Sequence, residues 1–537
     1  MLFQNPKLLF RRLLIRIHQF FEDNVTINSN FVKHNYKIWE RIESSSKSPV
    51  IITDTFRSPE QMIVTGYFLQ VLGKRHNAKI MSFSNFKNAN IRSIRKSLNY
   101  SGHVTTKLNK RAIKLKHKKL LLLARKNIKS KEDLFNFRVE DIWVGIDIYE
   151  TYLRNGIPTV DLKDNLIWEI ISESIELILF WNDFFENNRV VGVFLSHDMY
   201  NSYNSVAKVA YKNNAKVYLI STYNFQISTS QFSIYKNRFI NYPKMFKRLS
   251  VEEQKDAIEI SKKQLNRRLS GEVGVNMRYS TKSAFSGKKS RQKIITNKNN
   301  LNVLICTHCF FDNPHAYGEM LFHDFFDWLD HLGRISNKSD YDWYIKPHPD
   351  YLPGTIETIQ LIADKYKKIK FIDPRTSFNQ LADEGLDFAL TCYGSVGHEL
   401  PLLGIQVINC GLNPHMAYNF NWHAYSKKEY DSLLLSLKTL KKEIDINEIY
   451  EFYYMNYYYT HLDDLVFNSY EKYRDFVGSF WGLEYTTGLK GLFEMKENKS
   501  YDFFLNEFTR EKHNDIIRKI DTFIDSGKTN YFIKGPE

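Results

Sequence analysis

Two α/β domains, each built on a parallel sheet of Rossmann type, are what this sequence predicts, with a basic helical arm ahead of them and a helical tail behind. Three observations carry that expectation. The chain has 537 residues, more than a single core accommodates. Short, almost continuous apolar runs recur in two clusters, separated by helix-length stretches, as in sheets covered on both faces. Several of these runs end in turns whose chemistry exceeds what a connector needs, foremost Lys346-Pro347-His348-Pro349 and Tyr393-Gly394-Ser395-Val396-Gly397.

In chain order, residues 1–45 read as a basic helical arm. Residues 46–245 form the first Rossmann-like domain: a strand over 49–54, a helix over 60–74, a strand over 78–83, then a basic insertion over 84–135. The apolar stretch 166–180 carries three Glu and reads as a buried helix. A strand over 190–195, a helix over 203–213 and a strand over 215–221 complete the domain. Residues 246–300 are polar and basic, with Gly271, Gly274 and Gly287, and read as a linker or loop. The second domain, 301–440, has strands at 302–307, 342–346, 369–372, 387–391 and 405–409. Helices fit at 317–332, 355–367, 378–384, 396–403 and 427–440. The tail, 441–537, is aromatic-rich and is expected to pack across both domains. No repeat of 20–50 residues is visible.

Composition narrows the class. Hydrophobic (43%) and charged (25%) fractions are those of a globular protein, while 33 Tyr and 39 Phe suit clefts that hold flat groups. Four cysteines make no disulfide framework, so a reducing compartment, the cytoplasm, is expected. Cys306-Thr307-His308-Cys309 spells CxxC, but Cys392 and Cys410 are too distant in sequence to complete a zinc set, and no metal site is expected. No run approaches ~20 apolar residues, and the Arg-interrupted N-terminus lacks a signal-peptide pattern. The net charge of +15 concentrates in 11–16, 92–131 and 282–298. Such a surface attracts anions, and the first two segments suit amphipathic helices on an anionic membrane. A peripheral place on the inner face of the cytoplasmic membrane is therefore expected. No nucleic-acid module is recognisable, so no nucleic-acid partner is expected.

Ligands of open parallel sheets bind at the carboxyl ends of strands. Five clusters fall there. In Lys346–Pro349 two prolines fix the turn, so Lys346 and His348 are set to hold phosphate and offset leaving-group charge. In the second turn Gly394 and Gly397 permit close approach. Ser395 is an expected N-cap, the helix from Val396 offers free N–H groups to an anion, and Glu399 is placed for ribose hydroxyls. The loop 306–319 gathers His308, Asp312, His315 and Glu319, with Asp312 and His315 as contacts to the sugar or donor phosphate. In the first domain Asp54, His197 and Asp198 are candidates for the base that deprotonates an acceptor hydroxyl, ahead of Asp147 and Glu150. Beyond the last strand, Asn413 and His415, with Tyr418, Asn421 and His423, are candidate base or sugar contacts. Asp340-Tyr341-Asp342 spells DxD but precedes its strand, away from the ligand side.

Two Rossmann-like halves, KPHP at a strand end and the G-S-V-G-H-E turn resemble the GT-B glycosyltransferases. Within these the chain is similar to bacterial capsule and surface-polysaccharide biosynthesis proteins, including the Kdo transferases of capsule assembly. Its HP turn and Gly/Ser turn are also similar to those of bacterial sialyltransferases and teichoic acid glycerophosphate transferases. The resemblance spans 302–430 best, thins over 140–220 and is absent from 84–135 and 246–298. It implies two domains facing a cleft and a nucleotide-sugar donor, with a CMP-sugar favoured. It implies metal-independent, inverting transfer to a growing glycan or lipid-linked acceptor, with no cofactor. His348, and Ser395 with its neighbouring amides, would contact the donor phosphate. Two alternatives stand beside this reading: a CDP-linked glycerol-phosphate-type phosphotransferase, and a non-enzymatic nucleic-acid-binding protein.

Overall fold

The computed structural model describes residues 29–54, 59–83, 89–220, 225–228, 239–276, 280, 282–286, 293–318, 320–459, 463–466, 499 and 501–526. Most of the expected arm (1–28), Glu319 and residues 467–498 of the tail lie outside them. The chain divides into two compact units. The first holds Met1–Thr151, Leu162–Gln231 and Thr460–Glu537, and the second holds Tyr152–Asp161 and Phe232–Tyr459.

The first unit is built on strands β1 (Val50–Thr53), β2 (Lys79–Phe83), β3 (Tyr100–Val104), β6 (Val190–Leu195), β7 (Lys216–Ile220) and β8 (Phe225–Ser228), with a two-stranded β4 (Arg138–Val139) and β5 (Ile142–Trp143) beside them. The six-stranded sheet runs β3-β2-β1-β6-β7-β8. All pairs are parallel except β7 with β8. Chain order therefore reverses between β1 and β6, which makes that point the topological switch. β1 is Val-Ile-Ile-Thr, buried along its whole length, as a central parallel strand requires.

One expectation is corrected here. Residues 84–135 are not simply an insertion that interrupts the sheet: the helix Ala89–Ser97 and β3 extend it by a strand. Only the stretch from the lysine-rich helix Arg111–Asn127 onward lies beyond it. The basic composition hid this, because β3 is an edge strand with alternating exposure and little apolar content. The tail, expected to pack across both domains, is divided between the units. Arg510–Asp525 packs on Pro59–His76 in the first, where Arg75 pairs with Asp521 and Asp525. Ile446–Tyr457 belongs to the second, packed on Val251–Leu269.

That last helix is the second correction, since 246–300 reads as a linker. Ser250 and Glu253 form a capping box at its start, and Ala257, Ser261, Leu265 and Arg268 face inward at helical spacing. A small, widely spaced apolar stripe supports the helix here, so mean polarity misleads.

The second unit is built on β9 (Asn302–Cys306), β10 (Asp342–Lys346), β11 (Ile369–Phe371), β12 (Phe388–Thr391), β13 (Gln406–Cys410) and β14 (Trp422–Ala424). Its sheet runs β11-β10-β9-β12-β13-β14, parallel throughout. Strand side chains alternate between two cores. Val303, Ile305, Trp343, Ile345, Phe388 and Leu390 join one, and Leu304, Tyr344, Ala389 and Val407 join the other. Both faces are thus covered, and the strand ends are left for chemistry. The switch lies between β9 and β12.

Candidate active site

At the carboxyl ends of β9, β10 and β12 the second unit encloses a cavity of about 270 Å³. Both unusual turns reach it. Lys346, the last residue of β10, is 2% exposed, and its Nζ donates to the Pro374 carbonyl at 3.0 Å and sits 4.6 Å from the Phe378 ring centre. Desolvation lowers its pKa to about 8, so the ammonium is retained at neutral pH but weakly held. His348 opens into the same space. Its Nδ1 accepts the Asp350 amide at 3.1 Å, which leaves Nε2 as the N–H donor. Desolvation by the cavity walls, and the cations of Lys346 and Arg268, lower its pKa to about 4. His348 thus presents its Nε2–H to the cavity, and Lys346 its ammonium.

Gly394, Ser395, Val396 and Glu399 line the same cavity. The turn differs from its expected form. Ser395 makes no capping bond; its hydroxyl goes to Glu399 at 3.2 Å. The α-helix stops after Glu399, giving way to a 3-10 turn at Leu400–Leu403 with Pro401 near its start. A four-residue helix supplies little dipole. What remains for an anion is local: among the described residues the amides of Ser395 and Val396 have no hydrogen-bond acceptor. Thr391 Oγ1 holds the turn by accepting the Gly394 amide at 3.0 Å. Gly397 is needed for a different close approach than expected. A Cβ there would stand 2.3 Å from His415 Cε1, so the glycine makes room for an internal histidine.

Glu399 is buried, and both of its oxygens have partners: Oε2 accepts the Ser395 hydroxyl and Oε1 accepts Arg268 Nε. Arg268, from the end of Val251–Leu269, also lines the cavity. The ribose-binding expectation is thereby corrected: Glu399 serves first as counter-ion to a buried guanidinium. Lys282 lines the cavity too, its amide on Asp350 at 3.2 Å and its Nζ 5.8 Å from the Tyr351 ring centre. Both cations come from the stretch read as linker. The capping box, with residues four apart after it, was the available signal for Arg268; Lys282 had none.

The remaining candidates of this unit divide. His308 borders the cavity, but its Nε2 accepts the Cys392 amide at 3.1 Å and bonds Thr391 Oγ1 at 2.9 Å. Burial lowers its pKa to about 3, and it stacks on Phe325, so it is a neutral brace between β9 and β12. Asp312 pairs with Arg154 at 3.2 Å and is not on the cavity wall. His315 is buried, with its amide on Asn313. Asn413 is buried on Gly411 and His423. His415 bonds His398 at 3.0 Å inside an aromatic cluster with Phe420 and Phe452. None of these last four lines the cavity. Asp340 and Asp342 pair with Lys438 and Lys370 at the amino end of β10. The four cysteines are free thiols, and among the described residues no three His, Cys, Asp or Glu are placed to hold a metal ion.

The first unit carries a second polar cluster at its own switch. Asp54, after β1, accepts the Ser196 amide at 3.1 Å and the Ser196 hydroxyl; Ser196 Oγ is 2.9 Å from His197 Nδ1. Burial raises the Asp54 pKa to about 6. Asp198 is raised to about 6 by the same cause. Arg95, buried beside Asp54, has Nε and one Nη without an acceptor, and sequence reasoning missed it. Asp147 is held by Lys208 at 2.6 Å and is structural.

No protein-family model matches this chain, and no curated protein matches it. Solved structures do. Thermosulfurimonas dismutans KpsC, a beta Kdo 2,4 transferase, is similar at 13% identity over 50% of this chain and 80% of its own, with a TM-score of 0.30. The lipopolysaccharide outer core galactosyltransferase WaaB, in apo form, is similar at 9% identity over 79% of this chain and 99% of its own, with a TM-score of 0.28. Anabaena Alr3699/HepE in complex with UDP is similar at 13% identity over 75% of this chain and 93% of its own, with a TM-score of 0.24.

Proposed function

We propose that this protein is a glycosyltransferase of bacterial capsule or surface-polysaccharide synthesis, taking a sugar from a nucleotide donor, with a CMP-sugar favoured, and passing it to a growing glycan or lipid-linked acceptor at the cytoplasmic side of the membrane. The single observation that carries this reading is the meeting of KPHP and the Gly394–Glu399 turn on one cavity at a topological switch. There a donor phosphate would find the Lys346 ammonium, the His348 Nε2–H and the amides of Ser395 and Val396. These groups stabilise the negative charge that develops on the leaving nucleotide, with no metal required.

The proton acceptor is proposed to be the Asp54–Ser196–His197 array. When Asp54 is ionised the Ser196 hydroxyl donates its hydrogen bond to the carboxylate, so Ser196 Oγ accepts from His197 Nδ1–H and the lone pair of the imidazole lies on Nε2. That tautomer suits removal of a proton from an acceptor hydroxyl. Protonation of Asp54, with its pKa near 6, reverses the chain of donors. Transfer is inverting if the acceptor hydroxyl attacks the donor sugar directly.

The test is a thermal-shift panel of CMP, CDP, UDP, GDP and their sugars. Selective stabilisation by CMP and a CMP-sugar, lost in His348→Ala, is the expected outcome. Stabilisation by none of them overturns the reading. Transfer from CDP-glycerol that leaves a phosphodiester in the product would assign the phosphotransferase alternative instead.

A further inference from the structure

The helix Arg111–Asn127 of the first unit has two unlike faces. Its inner face lies on Asn165–Asn187, with His117 Nε2 3.0 Å from the Ser172 carbonyl and Ala124 buried. On its outer face Leu115 and Leu122 stand two turns apart, 59% and 69% exposed, and Leu123 beside them is 45% exposed. Arg111, Lys114, Lys118, Lys119 and Lys126 surround the leucines, all exposed. Lys110 and Lys116 pair with Asp183 and Glu140 at the margin. The five around the leucines have no carboxylate partner among the described residues. The sequence holds no Asp or Glu between Glu60 and Glu132.

A merely solvated helix face would intersperse acids at i,i+4 and keep leucines inward. This face does neither. It leaves apolar area in water at the centre of a ring of cations that repel one another. We infer that this face docks on an anionic lipid surface, lying in the headgroup layer with Leu115 and Leu122 inserted. A bilayer interface offers phosphates for the lysines and an apolar phase for the leucines at once; nucleic acid offers only the first. No helix among the described residues is long and apolar enough to cross a membrane, so this contact is peripheral. The inference stands apart from the donor site, and vesicle binding is read without any sugar nucleotide.

The test uses the whole chain with vesicles of phosphatidylglycerol and phosphatidylethanolamine, or of phosphatidylcholine alone, in co-sedimentation at low and high salt. Partition into the anionic vesicles only, reversed by high salt, is expected. Lys114→Glu with Lys118→Glu and Lys126→Glu should weaken it roughly a hundredfold or more, from the cost per cation at such a surface. Leu115→Ser with Leu122→Ser should weaken it about tenfold while keeping the lipid selectivity. Each variant must keep the wild-type melting temperature, which exposed positions allow. Equal binding to phosphatidylcholine, no vesicle binding, or unchanged partition of the charge variant overturns the inference. An unaffected leucine variant, with a salt-sensitive RNA shift lost in the charge variant, would instead assign the face to nucleic acid.

Discussion

The two switch points of this molecule solve one structural problem with opposite chemistry. In each unit a residue just beyond the first strand of the switch reaches across to an amide at the end of the neighbouring strand. Asp54 takes the Ser196 amide, and, two residues beyond Cys306, His308 takes the Cys392 amide, both at 3.1 Å. The first unit thus bridges its switch with a carboxylate whose proton is held near pH 6. The second bridges it with an imidazole that burial keeps neutral, so no fixed negative charge arises from that bridge. Lys346, Lys282 and the His348 N–H add cations and a donor to the second mouth. The same fold position therefore carries a titrating carboxylate in one unit and a neutral imidazole in the other.

The largest expected effect separates structure from binding in the second unit. Arg268→Ala leaves Glu399 as a buried, uncompensated charge and should destabilise by ~3–5 kcal/mol in urea unfolding. Arg268→Met with Glu399→Leu should recover most of that stability. If the single change is harmless, the pair is not the cavity's structural frame.

Next comes Asp54. Its folded pKa is raised, so the folded state binds a proton more tightly than the unfolded chain. The stability that Asp54 contributes should fall as pH rises from about 4 to about 6, by ~3 kcal/mol, and Asp198, raised to about 6 as well, adds its own fall in the same window. Asp54→Asn should remove the Asp54 share of that slope, measured as unfolding midpoints across the window. An unchanged slope would show that this carboxyl does not hold the proton.

Nucleotide affinity should respond to the residues that line the second unit's cavity. His348→Ala and Lys346→Met should each weaken nucleotide binding by ~10–100-fold in calorimetry, the range for a hydrogen bond to a charged group. Because Lys346 loses its proton near pH 8, wild-type affinity should decline above that pH, and Lys346→Arg should hold it. The smallest effect is at Thr391→Val, which removes the hydroxyl shared by Gly394 and His308 and should cost about 1 kcal/mol of stability with a modest loss of affinity.

Much of this was legible in the residues. Strands β9, β10, β12 and β13 lie within a residue or so of their apolar runs, because a strand covered on both faces must be apolar nearly throughout. KPHP and the Gly394–Glu399 turn were legible as a pair of strand-end turns, and both line one cavity. Three things were not. β3 is an edge strand whose basic neighbours mask it. Val251–Leu269 is held by a capping box and a thin stripe rather than a broad apolar face. His308, Asn413 and His415 have the composition of ligand residues but spend their polar atoms on internal bonds.

The residue pattern alone determined the central parallel strands of the two sheets and the ends at which ligands are expected, because periodicity and turn chemistry are local. The tertiary structure decided which polar groups remain available at those ends. A histidine's role depends on which nitrogen already has a partner, and a glutamate's on whether a buried arginine has claimed it. Those partners lie far apart along the chain, 131 residues in the case of Arg268 and Glu399, beyond the reach of any local pattern.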